Sequence, residues 1–349
     1  MRVALLAHDE YAAGGAKTAR AMLRYAALGW SPDTVACLID RAAATGASAA
    51  NWRTPEGVAI VADVAAALVL DFDALVIGVA TAGGGLPAGY ADDITAALAA
   101  GKQVVSGLHV ALSADPRWAA HAERIRDVRH EHPAPRITTG EGARLAIPRV
   151  LAVGTDCSVG KMTVAIELAR AARRRGLRAA FVATGQTGIM VGCDAGAPID
   201  ALVADFVPGA VERLVLDAAA TVPPPDIIFI EGQGAIDHPA YAAVTAGLLH
   251  GAAPTAMVLC DLPARTSRHM PPGPVAFAKP SPARIRDLCE AHLAVSTGAK
   301  VVACARRGPG DIDLALPCAD VFAPGGADLI LDAVLADHPD LRPRDPVVP

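Results

Sequence analysis

The sequence predicts an α/β protein built from two parallel-sheet domains, residues 1–140 and residues 141–349. The first observation is that short apolar runs alternate with helix-periodic segments along the chain, as in a doubly wound sheet. The second is a stretch at 130–148 that is rich in Pro, Gly and Thr and lacks periodicity, which is typical of a domain boundary. The third is the length of 349 residues, which suits two domains at about 100–200 residues each.

The first domain begins with an apolar run that predicts a strand, and helices and strands then alternate. The predicted strands are Val3–Ala7, Thr34–Ile39, Ala74–Val79 and Gln103–Ser106, and the predicted helices are Ala16–Leu28, Glu56–Leu70 and Ala91–Ala100, with a short strand at Val58–Val61 as an open alternative. Gly83–Gly85 follow a strand end but lack the G-x-G-x-x-G spacing of a dinucleotide-binding loop. We therefore predict a tight turn there.

The second domain repeats the alternation, and polar turns follow several of its strands. The predicted strands are Val150–Val153, Arg178–Ala183, Asp226–Ile230, Ala256–Cys260 and Lys300–Cys304; one helix follows Lys161 and stops at Gly176, and a buried helix precedes the strand within 241–260. In an open parallel sheet the ligand crevice lies at the carboxyl ends of the strands. The turns expected to converge there are the loop at 154–163, Thr184–Gly188, Glu231–Gly234, and Asp261 with Arg265.

The loop that follows the first of these strands predicts a phosphate-binding site. Two glycines, a lysine and the start of a helix come together there. Backbone N–H groups, the helix dipole and the lysine charge all attract a phosphate. The residues expected to contact the cofactor are Gly154, Thr155, Asp156, Cys157, Ser158, Val159, Gly160, Lys161, Met162 and Thr163.

This loop departs from the usual G-x-x-x-x-G-K-[ST] pattern in two ways. Five residues separate Gly154 from Gly160, and Met162 stands where a Ser or Thr hydroxyl would hold Mg²⁺. A thioether is a poor ligand for a hard cation, although the Thr163 hydroxyl lies one residue further on. The pattern favours a cofactor whose phosphates are held and not transferred. Coenzyme A fits this description, and ATP with Mg²⁺ stays open as the alternative.

Composition and charge argue against several classes of protein. The net charge is −5 without a long block of like charge, so no nucleic-acid partner is predicted. His250 and Pro254 interrupt the apolar stretch at 241–260, so we expect no membrane span there. We also expect a cytoplasmic protein that forms a homo-oligomer. The seven cysteines lack metal-site spacing, and His130 and His132 lack a third ligand. We therefore predict no metal site.

The turn after the apolar strand at 226–230 carries the candidate catalytic residues. Glu231 closes that strand and is a candidate base, with holding backbone amides in place as its competing role. Gly232 and Gly234 would let backbone N–H groups approach an oxyanion. His238 is a second candidate for carrying a proton, or caps the following helix. The candidates for binding the substrate are Gln186, Gln233 and Arg265, because a guanidinium binds a carboxylate and an amide can orient one.

Motifs across nearly the whole chain resemble those of domain-of-unknown-function family 1611, whose characterised members are D-glutamate N-acetyltransferases. The matching stretches are GTDCSVGKMT (154–163), ATGQTGI (183–189), IDALVADF (199–206), IEGQG (230–234) with HPAY (238–241), GLLHG (247–251), LVIGVATAGG (75–84) and VVSGLH (104–109). The resemblance implies an N-terminal Rossmann-like parallel-sheet domain and a C-terminal P-loop NTPase-like doubly wound domain. It also implies acetyl-coenzyme A (acetyl-CoA) as the donor and an amino acid as the acceptor.

We therefore expect an acyltransferase that moves acetyl from acetyl-CoA to the amino group of D-glutamate or a related acidic amino acid. Two alternatives stay open at this point. One is an ATP- and Mg²⁺-dependent ligase or kinase, because GTD…VGK also resembles the loop of dethiobiotin synthetase. The other is a nucleotide-binding protein without catalysis.

Overall fold

The computed structural model describes residues 1–44, 53–81, 83–270 and 273–341, which form two compact units. The first unit holds Met1–Glu131 together with Ile189–Gly192. The second holds His132–Gly188 and the chain from Cys193 onward. Each unit contains its own parallel β-sheet, so the prediction of an α/β protein with two parallel sheets is confirmed.

The sheet of the first unit has six strands, all parallel, in the order β3-β2-β1-β4-β5-β6. The order runs outward in both directions from β1 and β4, which is the arrangement of a doubly wound sheet. Its elements in chain order are β1 (Arg2–Leu6), α1 (Lys17–Ala27), β2 (Thr34–Ile39), α2 (Arg41–Ala44), β3 (Ala59–Val61), α3 (Val64–Leu68), β4 (Ala74–Ile77), α4 (Tyr90–Ala99), β5 (Gln103–Ser106) and β6 (Ile125–Asp127).

The segment from Glu56 to Leu70 differs from the prediction of a mostly helical stretch. It forms β3 first and only then the short helix α3. Asp63 separates the two, because its carboxylate accepts the backbone N–H of Ala66 and caps the helix. β3 is held in place by pairing with β2, a tertiary contact that local propensity does not report.

The turn predicted at Gly83–Gly85 is present, in the part of the chain where the structure describes residue 81 and residues 83–85. The Gly84 N–H donates to the Thr81 carbonyl oxygen at 3.0 Å, and Gly84 has a φ of +70°. A Cβ on Gly84 would lie 2.3 Å from His109 Cδ2, so both the backbone conformation and the close contact require glycine there.

The sheet of the second unit has seven strands, all parallel, in the order β13-β12-β11-β7-β10-β8-β9. Its elements are β7 (Arg149–Gly154), α5 (Lys161–Arg174), β8 (Ala179–Ala183), α6 (Gln186–Val191), β9 (Ala195–Gly196), α7 (Val207–Ala219), β10 (Ile227–Ile230), α8 (Ala242–Ala252), β11 (Ala256–Asp261), α9 (Pro282–Leu293), β12 (Lys300–Arg306), β13 (Cys318–Ala319) and α10 (Gly326–Ala336). All five predicted strands are confirmed, as is the helix followed by a strand within 241–260. Among the described helices, none has the length and apolar character needed to cross a bilayer.

The central strands of this sheet are covered by helices and are completely buried. Every residue of β7, β8, β10 and β11 is buried, which is usual for parallel strands with helices on both faces. Leu151 and Val153 of β7 join one hydrophobic core with residues of α7, α8 and α9. Helix α5 packs against α10, β7, β8 and β10.

The strand order decides where a ligand site can form in this unit. β7 lies between β10 and β11, so the chain leaves β7 in the middle of the carboxyl edge. The turns after β10 and β11 flank the loop that follows β7. The sheet therefore presents three neighbouring turns at the position where doubly wound sheets bind ligands.

A buried arginine holds the start of β7. Arg149 is 1% exposed, and its guanidinium donates to the carbonyl oxygens of Ala253 at 2.8 Å, Leu145 at 2.9 Å and Ile147 at 2.7 Å. Burial lowers the pKa of this guanidinium, which nonetheless stays charged at neutral pH. The side chain thus ties the entry of β7 to the loop before it and to the end of α8.

Replacing Arg149 by Met should lower the free energy of unfolding by about 2–4 kcal/mol, because three carbonyl groups lose a charged donor. Urea denaturation of the full chain, followed by circular dichroism, measures this loss. The control is Arg213→Met on α7, an exposed residue whose pair with Asp217 lies on the surface, which should cost less than about 0.5 kcal/mol. Equally small losses for both variants would show that Arg149 does not hold the strand.

Candidate functional site

The loop Gly154–Thr163, here named the cradle, lies at the carboxyl edge of the second unit's sheet. Ser158 (φ +56°) and Gly160 (φ +105°) have left-handed backbone, which folds the loop over Gly154. A Cβ on Gly154 would lie 2.8 Å from Val159 Cγ2, so this close approach requires glycine. A Cβ on Gly160 would meet no atom within 4 Å. Open space therefore lies beside the first turn of α5, whose N–H groups lack intrahelical acceptors and suit an anion.

Lys161, the first residue of α5, connects the cradle to the turn after β10. Its Nζ donates to the carbonyl oxygens of Asp156 and Gly234, each at 2.7 Å. The residue is only 6% exposed, so its charge lies inside the site. Lys161, the predicted phosphate-binding residue, is therefore hydrogen-bonded directly to the predicted catalytic turn.

Asp156 is a fully buried carboxylate at the centre of the cradle. It accepts the backbone N–H groups of Cys157 at 2.8 Å and His269 at 2.7 Å, and Nη1 of Arg265 at 2.9 Å. Burial by itself raises the pKa of Asp156. These hydrogen bonds and the Arg265 charge lower the pKa by more than burial raises it, so the net shift is downward. Asp156 therefore stays ionised and holds the segment after β11 against the cradle.

A second buried carboxylate, Asp261 at the end of β11, supports the other side of the cradle. It accepts hydrogen bonds from the hydroxyl of Thr155 and from Nζ of Lys279, the latter at 2.7 and 2.9 Å. Lys279 was not among the predicted site residues. Asp261 ends the apolar run of β11 as Glu231 ends that of β10, so the same sequence pattern indicates a site carboxylate at both positions.

Glu231 lies at the end of β10 and is 7% exposed. Its Oε2 accepts the backbone N–H of Thr184 at 2.9 Å and that of Gly185 at 3.2 Å. The carboxylate therefore orients the turn between β8 and α6. Gln186, the first residue of α6, follows this turn directly and is 9% exposed.

The two glycines beside Glu231 are placed by close backbone contacts. A Cβ on Gly232 would lie 1.7 Å from the Ala152 carbonyl oxygen of β7, and Gly234 has a φ of +60°. Between them, Gln233 donates from Nε2 to the Thr184 carbonyl oxygen at 2.6 Å, while its backbone carbonyl oxygen accepts the Thr245 hydroxyl at 2.7 Å. This turn is held rigidly against β7, β8 and α8.

His238 is 1% exposed and has both ring nitrogens in polar contacts. The Ala240 N–H donates to Nδ1 at 3.1 Å, so the proton of the neutral ring lies on Nε2. Nε2 faces the His269 carbonyl oxygen at 3.3 Å and Asp156 Oδ1 at 3.4 Å. Burial lowers the pKa of His238 more than the charge of Asp156 raises it, so the ring is neutral near pH 7.

Two arginines of the segment after β11 bind carboxylates of the protein. Besides Asp156, Nη1 of Arg265 contacts the Cys157 carbonyl oxygen at 2.7 Å, and the side chain is 20% exposed. Arg268 is more deeply buried and donates from Nη2 to Asp237 at 2.5 Å. Arg265 is therefore the one of the two that reaches the cradle directly.

The residues after Lys161 have different surroundings. Met162 is buried at 8% exposure, whereas Thr163 is half-buried and lines a shallow depression beside the cradle. The thioether thus occupies the position that a metal-binding hydroxyl takes in other phosphate-loop proteins. Of the two residues that follow Lys161, Thr163 is the one whose hydroxyl is partly exposed.

One group of potential metal ligands lies in the site, among the residues that the structure describes. Ligand atoms of Asp156, Cys157 and His238 all lie within 4.8 Å of one another. A histidine bound to metal through Nε2 carries its ring proton on Nδ1 and usually donates it to an acceptor. Nδ1 of His238 instead faces the N–H donor of Ala240, and Asp156 is already paired with Arg265. This donor set therefore fits a hydrogen-bond network better than a metal centre.

The lowered pKa of His238 predicts that acid weakens the folded state. Below the ordinary pKa of 6.5 the unfolded chain takes up a proton that folded His238 does not, so the free energy of unfolding should fall between about pH 7 and pH 5. His238→Asn should remove this part of the slope in urea denaturation at a series of pH values. His250→Asn, at an exposed position of α8, should keep it. A slope that is unchanged in His238→Asn would contradict this assignment.

Comparison with known proteins identifies the family of the chain. Residues 136–308 match a family model described as a domain of unknown function, DUF1611_C, P-loop domain. Residues 42–131 match the companion model, DUF1611_N, Rossmann-like domain. The crystal structure of a DUF1611 family protein from Anabaena variabilis is similar with a TM-score of 0.83 and 35% identity, over 96% of this chain and 99% of that chain.

Two curated relatives carry the name D-glutamate N-acetyltransferase. The one from Tritonibacter scottomollicae is 40% identical over 216 residues, which are 61% of this chain and 62% of the relative. The one from Pseudoalteromonas sp. is 40% identical over 195 residues, which are 55% of this chain and 57% of the relative. The match thus spans less than two thirds of the length of either relative. With its Rossmann-like and P-loop domains, the chain belongs to the DUF1611 family.

Proposed function

We propose that this chain is a cytoplasmic N-acetyltransferase that uses acetyl-CoA and acetylates the amino group of D-glutamate or a related acidic amino acid. The names of the two relatives support the reaction class. The proposal rests on the position of Lys161, whose ammonium group donates hydrogen bonds to the Asp156 carbonyl oxygen of the cradle and to the Gly234 carbonyl oxygen. A cofactor phosphate held beside Lys161 would lie next to the turn that carries Glu231.

Coenzyme A suits the cradle because its diphosphate has to be held and not broken. The N–H groups at the start of α5, the helix dipole and the Lys161 charge attract a diphosphate without a cation. Met162 occupies the position of the metal-binding hydroxyl, and a thioether is a poor ligand for Mg²⁺. The residues that would hold the cofactor are those of the cradle, Gly154–Thr163.

The acceptor must lose a proton before it reacts, because an ammonium group has no lone pair. Glu231 is the first choice for the base, since hydrogen bonds from Thr184 and Gly185 orient its carboxylate at the edge of the sheet. His238 is the second choice. Its Nδ1 accepts the Ala240 N–H and its Nε2 carries the ring proton, so it would act only by exchanging a proton through water.

The transfer forms one C–N bond and breaks one C–S bond. The amine attacks the thioester carbonyl carbon, and coenzyme A leaves as the free thiol. Backbone N–H groups of Gly232 and Gly234 would stabilise the oxyanion that forms during the attack. Gln186 and Gln233 would orient the acceptor, and Arg265 would attract its carboxylate with the guanidinium N–H groups that do not bind Asp156.

Thermal unfolding and thiol release test the donor and the reaction. Acetyl-CoA at one hundred times its Kd should add about 2.7 kcal/mol to the free energy of unfolding, and ATP with Mg²⁺ should add less. Free thiol should then appear with D-glutamate but not with glutarate, which lacks the amino group. Stabilisation by ATP with Mg²⁺ alone would favour a ligase or kinase. Stabilisation by acetyl-CoA without thiol release from any acidic amino acid would favour a non-catalytic nucleotide-binding protein.

Two substitutions separate cofactor binding from catalysis. Lys161→Ala should raise the Kd for acetyl-CoA by about 10–100-fold, because a charge-assisted contact is lost. Glu231→Gln should lower kcat by about 10²–10⁴-fold while the Kd for acetyl-CoA changes less than about threefold. Lys300→Ala, which removes an exposed lysine of β12, is the control and should leave both constants unchanged. The reverse pattern for the first two variants would mean that the two roles are misassigned.

A further inference from the structure

The proposed function leaves one buried ion pair beside the cradle without a role. Lys279 Nζ lies 2.7 Å from Asp261 Oδ1 and 2.9 Å from Oδ2, and the two side chains are only 9% and 2% exposed. Burying an ammonium and a carboxylate together is costly, and a well-packed apolar pair would often stabilise the fold at least as well. A role in the chemistry of the site would explain why both charges lie here.

Asp261 is in direct contact with the cradle. Its Oδ1 accepts the hydroxyl of Thr155, a cradle residue that is completely buried. The Thr155 backbone is held at the same strand, because its N–H donates to the Cys260 carbonyl oxygen at 3.1 Å. Asp261 therefore fixes the start of the cradle. It also places a negative charge one hydrogen bond away from a loop that is proposed to bind phosphate.

Lys279 is placed to offset this charge and not to bind a ligand itself. An ammonium group has three N–H donors. Three acceptors surround the ammonium of Lys279, namely the two carboxylate oxygens of Asp261 and the Leu262 carbonyl oxygen at 3.1 Å. Its backbone N–H donates to the Thr266 carbonyl oxygen at 2.9 Å. Both ends of the residue are thus held, so it can act on a ligand only through Asp261.

The charges at the cradle and at the ends of β10 and β11 show what Lys279 contributes. Among the residues that the structure describes, they include the carboxylates Asp156, Asp261 and Glu231 and the cations Lys161, Arg265 and Lys279. The neighbouring pair of Asp237 and Arg268 adds one charge of each sign. Loss of the Lys279 ammonium would leave Asp261 unpaired inside the protein, where charges interact more strongly than in water. An anionic ligand on the cradle would then be repelled.

We propose that Lys279 is a positioning residue that lets the cradle bind a diphosphate by offsetting the charge of Asp261. Asp261 holds the Thr155 hydroxyl, and Lys279 prevents Asp261 from repelling the ligand. This inference rests on the part of the proposed function that places the diphosphate of coenzyme A on the cradle. It adds a residue far along the chain from the phosphate loop on which the affinity for the cofactor depends.

Titration calorimetry of the full chain with inorganic pyrophosphate, and with acetyl-CoA, tests the proposal. Lys279→Met should raise both Kd values about 10–100-fold, because a like charge then faces the ligand. Asp261→Asn should lower them about 3–10-fold, because the amide oxygen still accepts the Thr155 hydroxyl while the charge of Lys279 is no longer offset. The double variant and Lys279→Arg should both stay within about threefold of the wild type.

The opposite signs of the two single substitutions separate an electrostatic role from a structural one. If the pair only held the fold, each substitution would loosen the cradle and both would raise the Kd. That result would overturn the proposal, as would an unchanged Kd in Lys279→Met. Where Lys279→Met does not fold, the double variant is compared with Asp261→Asn, because loss of Lys279 should weaken binding in that background too.

Two further variants are controls. Lys300→Met removes the same charge from an ion pair with Glu290 at the amino end of β12, and it should leave both Kd values unchanged. Lys161→Ala should weaken the binding of pyrophosphate, which shows that this probe occupies the cradle.

Failure of this inference and failure of the proposed function give different results. The expected pattern of Kd values without any release of thiol would support the role of Lys279 and contradict the transferase. Thiol release without that pattern would overturn the role of Lys279 alone. A wild type that binds neither pyrophosphate nor acetyl-CoA would overturn both.

Discussion

The buried carboxylate of Asp156 is the interaction on which the rest of the site depends. It lies inside the cradle, yet its partners include Arg265 and the His269 backbone from the segment after β11. An unpaired carboxylate at this depth would be costly, so the cradle and that segment are stable only together. His238 extends the same network to the turn after β10. The cradle is consequently shaped by three strands and not by its own sequence alone.

The same principle recurs where the neighbouring strands end. Asp261 closes β11 and binds Thr155 and Lys279, while Glu231 closes β10 and binds the amides of the turn after β8. Each carboxylate follows a fully buried apolar strand and fixes an adjacent turn. A carboxylate that has a structural partner can still carry chemistry, because the same hydrogen bonds that hold it also orient it toward a ligand.

Much of the fold could be predicted because buried parallel strands are continuous apolar runs, and five such runs mark the second sheet. The two-residue strands β9 and β13 carry too little pattern to be found. Glu56–Leu70 was predicted mainly as a helix, with a strand at Val58–Val61 only as the alternative, because β3 depends on pairing with β2. At the site, glycine spacing and Lys161 predicted the cradle. The bond between Arg265 and Asp156 joins residues 109 positions apart, and neither residue's local sequence reports such a contact.

In the proposed function, Lys161 and the first turn of α5 hold the diphosphate of a coenzyme A whose thioester reaches the Gly232–Gly234 turn. A crystal structure of the chain grown with acetyl-CoA, and in parallel with ATP and Mg²⁺, tests it most directly. The diphosphate should lie against the N–H groups of Gly160–Thr163, with the acetyl group beside Glu231. A metal-bridged triphosphate on the cradle, with acetyl-CoA bound elsewhere or not at all, would contradict it.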